Sequence, residues 1–466
     1  MIVPGNSEPE LATVKVAKKL SLPRYLYRAN TNFISAFLDE CYDEDINYYR
    51  VLNRSTVIIS NPDYVKHVLL GNYENYRKAD FQQNVLTPIV GHGLLTAEGE
   101  DWRRARRTIQ PSFQHQRLLG FTQVMSNAAA KMAEDWRARS GTGEAFDINA
   151  EMMAITVDII CQTMFGNDIT DRLDEIRPAI STIIIELGRS PVAELTGLAK
   201  YFPRKMKPHV LAALEIVDSM IAEFIEARRA EGVTGGSNHG DLLTMLLTAQ
   251  DSETGKFLDH QQLRDEIITI FMAGHETTAN ALTWAFYALS QRAAVYDQVI
   301  AESRALLGGR PAEFKDLENL EFNRMAFEEA MRLYPPVPGF LRQAIEADEI
   351  DGHKIRAGTE VVISPWIIHR HRKLWDQPEK FDPSRFATDA VAGRDKYAYM
   401  PFGGGPRICI GLTFAMMEAQ IILATLSQHY RLSLVPENAG GYKVEPLSRI
   451  TLRPHFPMMM TAEPVA

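Results

Sequence analysis

Phe402-Gly403-Gly404-Gly405-Pro406-Arg407-Ile408-Cys409-Ile410-Gly411 is the stretch on which the reading of this chain turns. Three successive glycines leave no side chain in the way of a flat group approaching the backbone. Cys409 stands where the last predicted helix, about Ile410 to Tyr430, begins. A helix start offers unsatisfied N–H groups and a positive dipole end, and Arg407 lies two residues from the sulfur. Both favour thiolate over thiol, so Cys409 is expected to be an anionic, metal-competent sulfur. With no second Cys or His nearby it makes a poor zinc site, since structural zinc takes four protein ligands. A single thiolate does suit the axial position of haem iron. The same residue also fits a small buried side chain beside a tight turn. Two other glycine-rich readings fail: Ile408 stands where G-x-G-x-x-G needs Gly, and no Gly-Lys-Ser or Gly-Lys-Thr is present.

Working outward, Asp259 to Gln291 is the longest periodic run, and some 33 helical residues would span roughly 50 Å. Ala273-Gly274-His275-Glu276-Thr277-Thr278 lies in its middle. Thr277 can bond back to the carbonyl of Ala273 or leave it free, while Gly274 opens room on that face. The result is a small polar notch with Glu276 as an adjacent proton source. His275-Glu276 also begins an H-E-x-x-H zinc motif, but Ala279 occupies its fifth position. Glu329 and Arg332, three apart, share a helix face; Glu328, four before Arg332, leaves the pairing ambiguous. Trp102 and Arg106 are i and i+4 on a helix opened by Ala97-Glu98-Gly99-Glu100-Asp101, which also carries Arg103, Arg104 and Arg107.

The 466 residues would allow about three domains. With 45% apolar and 23% charged residues the chain has a globular balance, which excludes a disordered chain, a collagen-like fibre or a pure coiled coil. A net charge of −9 argues against whole-surface attraction to nucleic acid. Three cysteines, Cys41, Cys161 and Cys409, make no disulfide framework. Neither a signal peptide nor a membrane-spanning run is present, so the expected location is cytoplasmic. Helical pattern dominates from about Trp102 to Gln291, interrupted by a connector at 232–240, and resumes from Glu313 to Tyr334, where Pro335-Pro336 stops it. Strands are confined to the N-terminal part and the last third, for example 55–60 and 360–364, which predicts a mainly α, α+β fold.

At the cysteine loop the chain resembles the cytochrome P-450 haem-thiolate monooxygenases. Phe402, Gly405, Arg407, Cys409 and Gly411 match their F-x-x-G-x-R-x-C-x-G signature in full. Ala273 to Thr278 matches A-G-x-[DE]-T-[TS], Glu329 and Arg332 match E-x-x-R, Phe381 to Phe386 looks like F-x-P-x-R-F, and Trp102 with Arg106 matches W-x-x-x-R. The resemblance covers about residues 55 to 460. It implies a helix-rich part and a smaller β-rich part enclosing haem b, and a single haem domain over 1–466 with no fused reductase and no membrane anchor.

It also implies Cys409 as the metal ligand and Thr277 as the proton-relay hydroxyl, with Glu276 its acid partner. Trp102, Arg106, Arg407 and Arg342 would face the haem propionates. Glu329, Arg332 and Arg385 would form a buried ion network behind the haem loop. The implied reaction inserts one oxygen atom from O2 into a hydrophobic small molecule. Electrons would come from a separate ferredoxin or flavodoxin with its NAD(P)H reductase. A peroxide-using or isomerising haem-thiolate enzyme, or a non-catalytic haem carrier, stand as alternatives. Substrate is expected to meet Phe81 to Val90, Ile183 to Pro191, Phe271, Ala273, Val337 to Leu341 and Phe456 to Met459. Arg103, Arg104 and Arg107 form a candidate docking face for an acidic electron donor. One departure stands out: no proline follows the long helix near Gln291-Arg292-Ala293.

Overall fold

The computed structural model describes residues 9–51, 54–166, 172–187, 206–230 and 240–465. The connector expected at 232–240 lies, apart from Gly240, outside the described residues, as do 188–191.

Seven helices position the site: α1 (Leu22–Thr31), α2 (Asp80–Val90), α3 (Gly99–Ile109), α4 (Ile148–Phe165), α5 (His260–Ser290), α6 (Glu321–Leu333) and α7 (Leu412–Ser427). The expected long helix is α5, with Asp259 and Gln291 as its caps. Asp259 accepts from the Gln262 amide at 2.8 Å and the Gln262 side chain accepts from the Asp259 amide at 3.1 Å, satisfying two otherwise orphaned N–H groups. Past its first turns α5 is buried nearly all round, as a helix crossing a core must be. Trp284 stacks on Tyr334 with ring centres 4.3 Å apart and donates Nε1 to the Leu452 carbonyl at 3.1 Å. Without a proline, the end of α5 is fixed by Arg292, which donates to the carbonyls of Pro9 and Gln291, both at 2.8 Å.

The run from Glu313 is less helical than expected. A reciprocal cap between Glu313 and Asp316 closes a short 3-10 turn, Phe314–Asp316, and α6 starts only at Glu321. It ends at Leu333, before Tyr334 and the two prolines. Helix α7 is also shorter than expected, because Gly411 caps its start and the chain enters a strand at Tyr430.

The main sheet contains β1 (Ile46–Val51), β2 (Arg54–Ile59), β3 (Tyr76–Lys78), β4 (Phe340–Ala344) and β5 (Glu360–Ile363), in the order β1-β2-β5-β4-β3. Only β2 and β5 run parallel, Val57 opposite Val361. All of β5 is buried, consistent with its central place. Three smaller sheets among the described residues include a C-terminal hairpin, Pro446–Ser448 against Leu452–Pro454. The mainly α, α+β expectation is met.

Candidate active site

The glycine loop is held from both ends. The Cys409 amide donates to the Phe402 carbonyl at 3.0 Å, and the Ala415 amide donates to the Gly411 carbonyl at 2.9 Å. Gly405 sits at φ +66°, and a Cβ there would lie 1.9 Å from the Leu69 carbonyl oxygen. Glycine is therefore required by a backbone crossing, a different reason from the approach of a flat group. At Gly411 a Cβ would stand 4.0 Å from the Cys409 sulfur.

Of the three cysteines, Cys41 and Cys161 are buried in the core, while Cys409 opens onto a cavity of about 530 Å³. Its exposed surface faces that cavity. Burial pushes the thiol up, outweighing the Gly411 amide and the Arg106 guanidinium, which pull it down. Arg407 does not supply the expected help. It turns away to the Ala97 carbonyl at 3.0 Å and to Glu98, with its guanidinium 4.2 Å from the centre of the Trp102 ring. A metal at the sulfur would supply the missing deprotonation.

Trp102 and Arg106 face the cavity from α3, whose acidic first turn suits a helix N-terminus. Arg106 donates Nη1 to the Ile408 carbonyl at 2.9 Å. Arg342, on β4, is buried and lines the same cavity, and its Nη1 donates to the Leu341 carbonyl at 3.0 Å. Burial and the nearby Arg407 lower it to about 10. Lys78, which the sequence analysis did not single out, joins this set. Its Nζ donates to the Ala97 carbonyl at 3.0 Å and lies 4.0 Å from Glu98. Burial, with Arg407, pushes it down to about 6. Lys78, Arg342 and Arg407 thus share the carboxylate of Glu98, with Glu266 a second acidic group acting on Lys78. Buried cations in excess of their counter-ions are costly, and a flat group carrying two carboxylates fits the deficit. The alternation of β3 was the available signal, since it sets Lys78 on the buried face with Tyr76.

Across the cavity, Thr277 on α5 donates its hydroxyl to the Ala273 carbonyl at 2.8 Å, closing the notch. Glu276 does not meet Thr277. It accepts from the Thr451 hydroxyl at 2.6 Å, and burial raises its carboxyl against the opposing effects of Thr451, Arg453 and Asn280. His275 bonds through Nδ1 to the Phe271 carbonyl at 3.0 Å, and burial lowers it to about 4. Helix α5 also anchors the loop leading into α3: the amides of His92 and Leu94 donate to Asp265 and Glu266 at 2.8 and 2.9 Å.

The carboxylate–arginine set assembles as expected. Arg332 forks onto Glu329 at 2.7 and 2.8 Å, and its other donors reach the carbonyls of His369, Pro378 and Lys380. Arg385 Nε stands 3.6 Å from Glu329, whereas Glu328 pairs with Arg324. His369 carries the link onward: Nδ1 meets the Arg332 carbonyl at 3.2 Å, and Nε2 accepts from the Met400 amide at 2.9 Å, two residues before Phe402.

The cavity wall is partly as expected. Val85, Leu86, Ala273, Val337, Phe340 and Leu341 line it. Phe271 does not: it is buried in the core, and Ile270 and Met272 face the space instead. The segment 456–459 is also displaced, with Phe456 exposed and stacked on Tyr442, and the hairpin residues Ser448 to Thr451 take its place. The expected docking arginines are already engaged. Arg103 pairs with Glu74 and Glu100, Arg107 with Asp251 and Glu253, and Arg104 donates to the Phe257 carbonyl. Among the described residues no three His, Cys, Asp or Glu side chains converge as a metal site, and Cys409 presents a single sulfur to the cavity.

A single cavity cysteine, a set of cations that outnumbers its neighbouring carboxylates and a hydroxyl-bearing helix opposite suit a haem-thiolate site. The chain belongs to the cytochrome P450 family, whose profile matches residues 25–457. It is 31% identical to cyclooctatin synthase of Streptomyces melanosporofaciens, covering 90% of this chain and 89% of that protein. The putative cytochrome P450 132 of Mycobacterium tuberculosis is 34% identical, with 90% of each covered. The carotene epsilon-monooxygenase of Arabidopsis thaliana is 32% identical, over 82% of this chain and 74% of its own length. The crystal structure of the cytochrome P450DA heme domain superposes with a TM-score of 0.79 at 24% identity, covering 91% of this chain and 89% of that one. This protein is a haem-dependent monooxygenase, an oxidoreductase whose cofactor is haem ligated by a cysteine thiolate. Among the described residues no helix is long and apolar enough to cross a membrane.

Proposed function

We propose that Cys409 would ligate the haem iron and that the chain, a single haem domain over 1–466, oxidises a hydrophobic small molecule with O2. The observation that carries this is the placement of Cys409 as the one cysteine on the cavity, opposite Thr277 and beside the cationic ring. Haem bound through a thiolate supplies O–O cleavage and transfer of one oxygen atom to a C–H or C=C bond. Trp102, Arg106, Arg342, Arg407 and Lys78 hold its carboxylates, and Phe402, Gly405 and Gly411 fix the loop that presents the sulfur. The Thr277 hydroxyl would hold a proton at the notch, and Glu276 would replenish it after leaving Thr451. The apolar wall excludes water and holds substrate by burial. We assign the electrons to a separate ferredoxin or flavodoxin with its NAD(P)H reductase, and the protein to the cytoplasm.

The test is the spectrum of the dithionite-reduced, CO-bound protein beside Cys409→Ala. A strongly red-shifted Soret band that the substitution abolishes is expected. A band unchanged by the substitution would give the ligand to another residue.

A further inference from the structure

Asn280 is fully buried, and among the described residues its Nδ2 has no partner at hydrogen-bonding geometry. A donor left open in a core is costly and calls for a reason. It stands one helical turn after Glu276, on the same face of α5.

The orientation of that amide follows from its neighbours. Thr283 donates its hydroxyl to the Ala279 carbonyl at 2.7 Å, so its one proton is committed. The Thr283 oxygen then acts as an acceptor, and it takes a hydrogen from Asn149 Nδ2 at 3.1 Å. Asn149, at the start of α4, therefore presents its NH2 group to α5. The second hydrogen of that group goes to Asn280 Oδ1, also at 3.1 Å. With Oδ1 held by Asn149, Asn280 turns Nδ2 to the opposite side, towards Glu276. Burial raises the Glu276 carboxyl, and Thr451, Arg453 and this amide oppose it. The amide completes no bond while Glu276 rests on the Thr451 hydroxyl at 2.6 Å. Thr451 and the facing charge, Arg453, both belong to the C-terminal hairpin, whereas Asn280 shares α5 with Thr277.

We propose that Asn280 is a positioning residue for Glu276: its Nδ2, aimed by the Thr283–Asn149 lock, is the seat that takes the carboxylate when it leaves Thr451 for the Thr277 notch. The inference rests on Glu276 serving proton delivery at that notch, as proposed for the reaction. A carboxylate that left Thr451 without such a donor would be a bare charge in the core. With the seat, it keeps a hydrogen bond in either position and stays ready to take up a proton.

The test is infrared spectroscopy of the ferric holoprotein across pH, reading the carboxylic acid C=O band that Glu276→Gln removes. Asn280→Leu deletes the donor and keeps the branching, so the midpoint of that band should rise by about one to two pH units. Asn149→Leu and Thr283→Val leave Asn280 in place but free to turn, and should raise the midpoint by less. Thr283→Ser keeps the hydroxyl and should keep the wild-type midpoint. Because Asn149 acts through Asn280, N149L/N280L should match N280L alone. Product formed per NAD(P)H consumed should fall in the order in which the midpoints rise. Asn149 is half-buried, so its variant carries the test if Asn280→Leu fails to take up haem. A midpoint that neither Asn280→Leu nor Asn149→Leu moves overturns the proposal, whatever their urea stability. Additive shifts in the double variant overturn the lock. Wild-type coupling in Glu276→Gln overturns the proton-delivery role of Glu276 itself, a failure that leaves the midpoint shifts intact.

Discussion

Thr451 donates its hydroxyl to Glu276 Oε1 across 2.6 Å, tying the C-terminal hairpin to the turn of α5 that carries Thr277. The bond stabilises the charged form of a carboxylate that burial otherwise disfavours. Thr451→Val removes the donor and keeps the shape, so the Glu276 carboxyl rises further. Product formed per NAD(P)H consumed should fall several-fold, with the balance appearing as hydrogen peroxide, and the pH midpoint of that ratio should move upward. Thr451→Ser should restore both. A Thr451→Val enzyme with wild-type coupling across the pH range would remove the hairpin from proton delivery.

Lys78 offers a readout that needs no substrate. Held near 6 in the cavity, against about 10.4 in an unfolded chain, it is neutral in the haem-free protein at pH 8. Carboxylates placed beside it favour its charged form. Haem uptake by the apoprotein at about pH 8 should therefore draw up to one proton more than uptake by Lys78→Met. An indicator dye in weak buffer measures the difference, and proton release from Cys409 is common to both proteins and cancels. Equal proton traces would place Lys78 away from the haem carboxylates.

The loop around Cys409 and the notch of α5 were legible because their chemistry is local: thiol, glycines and the Ala273–Thr277 step lie within a few residues of each other. Apolar periodicity made α5 legible too, and the two ends of that run, Asp259 and Gln291, are its caps. What the sequence withheld depends on distant partners. Glu276 adjoins Thr277 in sequence, yet helical geometry turns it to Thr451, 175 positions away. Arg407 adjoins Cys409 yet faces Glu98, and Arg106 takes its place beside the sulfur. The family resemblance implies Phe456 as a wall residue, but it stacks on exposed Tyr442. His369 was silent because its role is purely to join the backbones of Arg332 and Met400.

The Glu329–Arg332 pair is fully buried, and every guanidinium donor of Arg332 is used. Arg332→Ala strands the Glu329 carboxylate and three carbonyls, and should cost about 3–5 kcal/mol. Arg332→Lys keeps the charge but loses the fork, so it should fall between alanine and wild type. Because His369 connects this network to Met400, haem release should accelerate in both variants before global unfolding, visible as Soret loss ahead of the far-ultraviolet circular dichroism change in urea. Simultaneous loss of both signals would confine the network to general stability.

Glu418, on the buried side of α7, gives the clearest linkage test. Burial raises its carboxyl to about 8, opposed by the Thr278 hydroxyl. Among the described residues neither oxygen has a partner at hydrogen-bonding geometry, and burial dominates. An unfolded glutamate titrates near 4.3. Between these values the native chain keeps a proton that the unfolded chain has released. Rising pH therefore favours unfolding through this group, by at most about 1.4 kcal/mol per pH unit, and the effect levels off above the native value. Glu418→Gln keeps the volume and abolishes the titration. Urea midpoints should lie close together for the two proteins near pH 5, and the glutamine variant should gain steadily on the wild type towards pH 8. Parallel curves would show that the carboxyl ionises in the folded protein, compensated by a group that the Thr278 contact does not supply.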